Sequence, residues 1–187
     1  MSVATESIEI ENVVASTGVS QELELESLAM DLSGSDYNPE NFPGLVYRTQ
    51  KPKAANLIFR SGKIVCTGAN SVDGVHTSLQ NVFANLRDLG IDVPEEPSIT
   101  VQNIVSSADL GEQLNLNAIA IGLGLESVEY EPEQFPGLVY RLTDPDVVIL
   151  LFGSGKAVIT GGKAPDEAAK ALNKIAAKLD ELGLLEN

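Results

Sequence analysis

The chain repeats one stretch. Phe42–Arg48 and Phe135–Arg141 both read FPGLVYR, about 90 residues apart. Each copy offers an aromatic ring beside a proline, a phenol and a guanidinium, which suit binding more than catalysis. The residues of metal and nucleophile chemistry are scarce. One histidine, His76, and one cysteine, Cys66, make no zinc cluster and no internal disulfide. "GSGK" at 153–156 looks like a phosphate loop, but Ala157 stands where a serine or threonine would hold magnesium. It reads as a hairpin turn. "GLG" at 122–124 lacks a third glycine and reads as a strand-entry loop. No acidic or nucleophilic constellation recurs with the repeat, so neither an enzyme nor a cofactor is expected.

The elements that must position these residues also come twice. "LIFRSGKIVCTG" answers to "LLFGSGKAVITG", "LRDLG" to "LDELG", and "IEIENVVAS" to "ITVQNIVSS". A short insertion near "AIGLGLES" separates the registers. "GIDVPEEPS" reads as the exposed link, giving residues 1–93 as repeat 1 and 94–187 as repeat 2. Each copy reads as strand, short helix, three strands and a long helix. In copy 1 the short helix falls on "SQELELESLAMDL" with Ser20 as its N-cap. Leu79, Val82, Phe83 and Leu86 make the apolar face of one long helix; Leu172, Ile175 and Leu179 make that of the other.

Strand parity separates two faces. Lys63, Val65 and Thr67 share one, as do Leu57, Phe59 and Ser61, and Asn12, Val14 and Ser16. Helices cover one side of such a sheet. The other mixes Val, Leu and Phe with Asn and Thr, and an uncovered apolar face marks a binding surface. Neutral hydrogen-bonding groups, flat apolar contacts and an aromatic wedge match the minor groove of DNA, whose floor is mostly acceptors. Apolar wedges pry base steps open there, most cheaply at pyrimidine–purine steps.

Net charge is −15, and no Lys or Arg precedes Arg48. Nucleic-acid binders ordinarily carry a basic patch. Acidic excess with few lysines also keeps proteins soluble in a very salty cytoplasm. No apolar run is long enough to cross a bilayer, and "MSVATESIEIENVV" lacks a secretory n-region and h-region. The expected location is the cytoplasm, at the nucleoid.

The ordered motifs ENVVAS and QNIVSS, YNPENFPGLVYR and YEPEQFPGLVYR, LIFRSGK and LLFGSGK, CTG and ITG resemble the archaeal TATA-box-binding proteins, from about Ile8 to Leu184. The resemblance implies an α+β fold. Two pseudo-symmetric repeats would form one saddle-shaped antiparallel sheet with helices on its convex face. It implies a general transcription factor for TATA promoter DNA that works with transcription factor B and, indirectly, RNA polymerase. Intercalating pairs would be Phe42 with Phe59 and Phe135 with Phe152. Central asparagines would be Asn12 and Asn103, and base-edge threonines Thr67 and Thr160. Groove contacts would be Val14, Val65 and Leu57, with Val105, Val158 and Leu150. Backbone contacts would be Arg48, Ser61, Lys63 and Lys53, with Arg141, Ser154 and Lys156. Glu131, Glu133 and Gln134 would meet transcription factor B.

The flanks depart from that pattern. "PENF" brings Glu40 and "LTDPD" brings Asp144 and Asp146 where relatives often carry basic residues. Such losses weaken a phosphate clamp and suit binding at molar salt. Competing readings are a specialised TATA-binding paralogue, a stand-alone saddle-type nucleic-acid recognition domain, and a protein that self-associates through its uncovered face.

Overall fold

A computed structural model describes residues 3–186. A short helix, α1 (Val3–Glu6), precedes β1 (Glu9–Gly18), α2 (Leu25–Asp31) and β2 (Ser35–Asp36). Next come β3 (Leu45–Gln50), β4 (Lys53–Ile58), β5 (Lys63–Ala69) and α3 (Val72–Asp88). The order then repeats. β6 (Thr100–Asp109), α4 (Leu116–Leu123) and β7 (Val128–Glu129) are followed by β8 (Leu138–Thr143), β9 (Asp146–Leu151), β10 (Lys156–Gly162) and α5 (Asp166–Glu181). The chain divides into two compact units, one of residues 12–102, the other of 1–11 with 103–187.

In the first unit the strand order is β2-β3-β4-β5-β1, with each neighbouring pair antiparallel. Period-two patterning buries one face. Leu45 pairs with Ile58, which pairs with Ile64, and all three are fully buried. Leu79, Val82, Phe83 and Leu86 recur at helical spacing on α3 and are also buried. Ser71 caps α3 by accepting the Gly74 N–H. The second unit repeats this as β6-β10-β9-β8-β7. Its core joins Leu138, Ile149, Leu151 and Ile159 to Leu172, Ile175 and Leu179 of α5.

The two cores differ in polarity. Asn56 is fully buried in the first unit, where its amide donates to the Tyr47 carbonyl at 3.2 Å and to Ser78 Oγ at 3.1 Å. Ser78 Oγ lies 3.1 Å from Thr49 Oγ1. The matching residues of the second repeat are Ile149, Ala171 and Leu142. Burial pushes the Cys66 thiol pKa up, partly offset by a hydrogen bond with Ser78.

Two expectations fail. Ser20 is not the N-cap of α2, which begins at Leu25 with Glu24 at its cap and no side-chain bond there. The intervening residues stay out of the helix because their backbone is used elsewhere. Val19 N–H donates to the Gly62 carbonyl at 2.9 Å, and Leu23 N–H to that of Arg60 at 2.8 Å. Leu23 and Leu25 both reach the core, a spacing of two that a helix would not bury. "GLG" is not a strand-entry loop either. Gly122 and Leu123 close α4, and Gly124 ends it at φ 100°, a conformation glycine adopts without a Cβ penalty.

Candidate nucleic-acid interface

The strands that bury one face against the helices hold the other open. In the first unit, register lines up Val46, Leu57, Val65 and Ser16 across β3, β4, β5 and β1. Arg48, Ala55 and Thr67 form the next row. In the second unit, Val139, Leu150, Val158 and Ser107 align, then Arg141, Val148 and Thr160. Most of these are half-buried, whereas most of their neighbours along each strand are buried.

A register shift in β1 between Val13 and Ala15 sets Asn12 beside the end of β5. Asn12 Oδ1 accepts the Gly68 N–H at 2.7 Å, and Nδ2 donates to Thr67 Oγ1 at 3.2 Å. The backbone donor fixes which end of the amide is oxygen. Asn103 does the same in its own unit, accepting the Gly161 N–H at 2.6 Å and donating to Thr160 Oγ1 at 3.2 Å. Val14 and Val105, two residues along each strand, lie half-buried on the same face.

The four repeated phenylalanines form two edge-to-face pairs. Phe42 and Phe59 have centroids 5.8 Å apart and planes at 61°; Phe135 and Phe152 are at 5.9 Å and 71°. Phe135 is 40% exposed, whereas the fifth phenylalanine, Phe83, is fully buried. The glycine of each FPG makes room for its pair. A Cβ on Gly44 would lie 2.7 Å from the Phe42 ring and 3.0 Å from that of Phe59. On Gly137 it would meet Phe135 and Phe152 at the same distances.

The turns place the remaining candidates. Ser61 Oγ accepts the Lys63 N–H, and Ser154 Oγ the Lys156 N–H, each at 3.4 Å, so "GSGK" is a hairpin turn. All four side chains are exposed, as are Arg48 and Lys53. Arg141 lies 3.6 Å from Glu129. Glu131, Glu133 and Gln134 are exposed on the turn that leads into Phe135, whose N–H donates to the Glu131 carbonyl at 2.9 Å. Beside Phe152, Ser154 and Lys156 lies a hollow of about 660 Å³ that Glu9, Glu11 and Asp109 also line. Among the described residues, no three His, Cys, Asp or Glu are grouped to hold a metal, and no helix is long and apolar enough to cross a membrane.

Sequence reasoning passed over Val46 and Val139, which share parity with Arg48 and Arg141 inside FPGLVYR and extend the apolar row. It also gave Gly44 and Gly137 no role. Parity would have found the valines. The glycines needed the ring positions.

A duplicated antiparallel sheet, helical on one face and open, apolar and amide-bearing on the other, defines a class of two-repeat binding proteins. The sequence profile of the family described as "Transcription factor TFIID (or TATA-binding protein, TBP)" matches residues 7–89 and again 98–182. The chain belongs to this family, one of transcription factors and not of enzymes. It is 74% identical over 181 residues to the TATA-box-binding protein of the halophilic archaeon Natronomonas pharaonis, covering 97% of both chains. It is 72% identical to TATA-box-binding protein E of Halobacterium salinarum, again over 97% of each. Among solved structures, the Methanococcus jannaschii TBP superposes with a TM-score of 0.83 at 53% identity, over 94% of this chain and 99% of that one.

Proposed function

We propose that this protein is a general transcription factor that grips TATA-box promoter DNA through the minor groove and nucleates the initiation complex. The observation that carries the reading is the edge-to-face phenylalanine pair of each repeat, at least partly open to solvent, beside an open face of valine, leucine, threonine and asparagine. Flat aliphatic contacts tolerate A·T pairs and meet the guanine amino group of G·C pairs badly. Asn12 and Asn103, each with its oxygen committed to a backbone N–H, present nitrogen donors to an acceptor-lined floor. Phe42 with Phe59, and Phe135 with Phe152, enter base steps at the two ends of the site. TATA-binding proteins are themselves the familiar case of such kinking.

Arg48, Arg141, Lys53, Lys63, Lys156, Ser61 and Ser154 then contact the sugar-phosphate backbone, which fixes orientation and carries no sequence information. Glu131, Glu133 and Gln134 receive transcription factor B, and through it RNA polymerase. Without DNA, the open face is available for self-association.

The test is a band shift with a TATA duplex against a G·C duplex of equal length, with duplex bending followed by energy transfer between its ends. Selective binding with bending, and a further shift on adding transcription factor B, are expected. Equal affinity for both duplexes overturns the reading.

A further inference from the structure

The asparagines, threonines and phenylalanines of the open faces are the same in both units. So are two of the cation pairs, Arg48 with Arg141 and Lys63 with Lys156. Matched groups hold a duplex equally well in either direction. Only unmatched residues of the two faces can tell one end of a site from the other.

The remaining charge is unmatched. Register pairs Lys53 with Gln50 in the first unit, and Asp146 with Thr143 in the second. Lys53 has the strand parity of Ala55 and Leu57, and Asp146 that of Val148 and Leu150. The two therefore hold equivalent, exposed places on the open faces with opposite charge. Lys51 and Asp144 repeat the reversal in the adjoining turns. A second difference lies at the other side of each face. In the first unit Gln102 Nε2 donates to Ser16 Oγ at 2.8 Å. In the second, Ser107 Oγ donates to Glu11 at 2.6 Å. Ser16 pairs with Val65 as Ser107 pairs with Val158, so an amide in one unit answers to a carboxylate in the other. Glu11 lines the hollow beside Phe152 and Lys156 together with Glu9, which the first unit replaces by Thr100.

We propose that this charge difference sets the direction in which the protein lies on an asymmetric TATA box. The proposal rests on the minor-groove reading, in which each unit brings its phenylalanine pair to one end of the site. Contacts to the sugar-phosphate backbone fix orientation. A run of adenines narrows the minor groove and deepens its negative potential, which draws Lys and repels Asp or Glu; TA steps bend cheaply instead. The first unit, with Lys53 and the neutral Gln102, takes the adenine run. The second, with Asp146 and Glu11, takes the alternating half. Lys53, Asp146, Gln102 and Glu11 are thus determinants of direction, and the matched residues are determinants of A·T preference.

The test is energy transfer on the full chain. A donor dye sits on the first unit, at Asn81→Cys of α3, and an acceptor on one or the other end of a duplex. Asn81 is exposed and the native Cys66 is buried, so the new thiol alone is labelled. On a TATAAAAA site, transfer to the adenine end is expected to exceed transfer to the other end; on the symmetric TATATATA site the two are expected to be equal. Glu11→Gln with Asp146→Lys makes the faces alike at these positions and lowers the preference by roughly tenfold. Adding Lys53→Asp and Gln102→Glu exchanges the faces at constant net charge and reverses it. Ala55→Val with Val148→Ala exchanges an uncharged difference in the same rows and keeps the parent's direction. A parent with no preference or the opposite one, a preference that survives the charge exchange, or a reversal by the alanine–valine exchange each overturn the proposal. Loss of selectivity for TATA over a G·C duplex in the parent would overturn the minor-groove reading with it. Selective, bent binding without direction overturns this proposal alone.

Discussion

Asn12 and Thr67 meet at the paired ends of β1 and β5, where the amide of one donates to the hydroxyl of the other at 3.2 Å. The Gly68 N–H holds the amide oxygen at 2.7 Å, so the nitrogen end is fixed without any ligand. Asn12→Asp keeps that acceptor and removes the donor. Paired with Asn103→Asp, it places two carboxylates against an acceptor-lined groove. TATA affinity falls by about 1–3 kcal/mol per site, with melting temperature little changed. Titration of a fluorescent duplex checks this, and undiminished affinity would remove both asparagines from the interface.

Gly137 sets the spacing of Phe135 and Phe152. Gly137→Ala forces a ring to move, since its Cβ would lie 2.7 Å from Phe135. The duplex is then bent less, while stability drops by no more than about 1.5 kcal/mol, the scale of an aromatic pair. Phe135→Ala with Phe152→Ala abolishes bending and leaves the fold intact. Energy transfer across the duplex and thermal melting are the readouts. Global unfolding of the double variant would show these rings to be core.

The polar cluster buried in repeat 1 behaves differently from its apolar counterpart. Asn56→Ala takes a buried partner from Ser78 Oγ and from the Tyr47 carbonyl and costs about 1–3 kcal/mol in urea denaturation. Importing the repeat 2 residues together, as Thr49→Leu, Asn56→Ile and Ser78→Ala, restores stability to within about 1 kcal/mol of the parent, because no buried polar atom is left unpaired. A triple variant as unstable as the single would refute this.

Cys66 links stability to alkaline pH. Burial raises its folded pKa above the unfolded value, which is about 8.5. Between the two values the folded chain keeps a proton that the unfolded chain loses. The contribution is therefore full below the unfolded pKa and is lost as pH rises through the folded one. Cys66→Val flattens this part of the profile, which denaturant midpoints from neutral pH upward will show. An unchanged slope in the variant would assign it to other groups.

Charge makes salt a further variable. At molar salt the screening length is about 3 Å, so cationic side chains gain little at phosphates. Burial and wedging survive screening, and carboxylates such as Glu40 or Asp144 close to phosphates take up bridging cations on binding. TATA affinity is then flat or rising with KCl, where ordinary DNA binders lose affinity steeply. Duplex titrations from low to molar KCl test it, and a steep fall would sink it.

Much of this was legible in the chain alone. Duplication was written in FPGLVYR. Period-two patterning in "KIVCTG" and "NLIFRS" told the helix-covered face from the open one, because alternation along a strand is a local property. Helical spacing on α3 and α5 was equally local. Three things required the tertiary structure. The non-helical course of residues 19–24 depends on the backbone of a distant turn, at Arg60 and Gly62, so a leucine-rich stretch that looked helical started its helix late. The purpose of Gly44 and Gly137 depends on two rings brought from separate connecting segments. The orientation of Asn12 and Asn103 depends on a bulge that aligns each with one backbone N–H across the sheet. Composition and periodicity decide which face a residue takes; only the packed chain decides which atom it presents there.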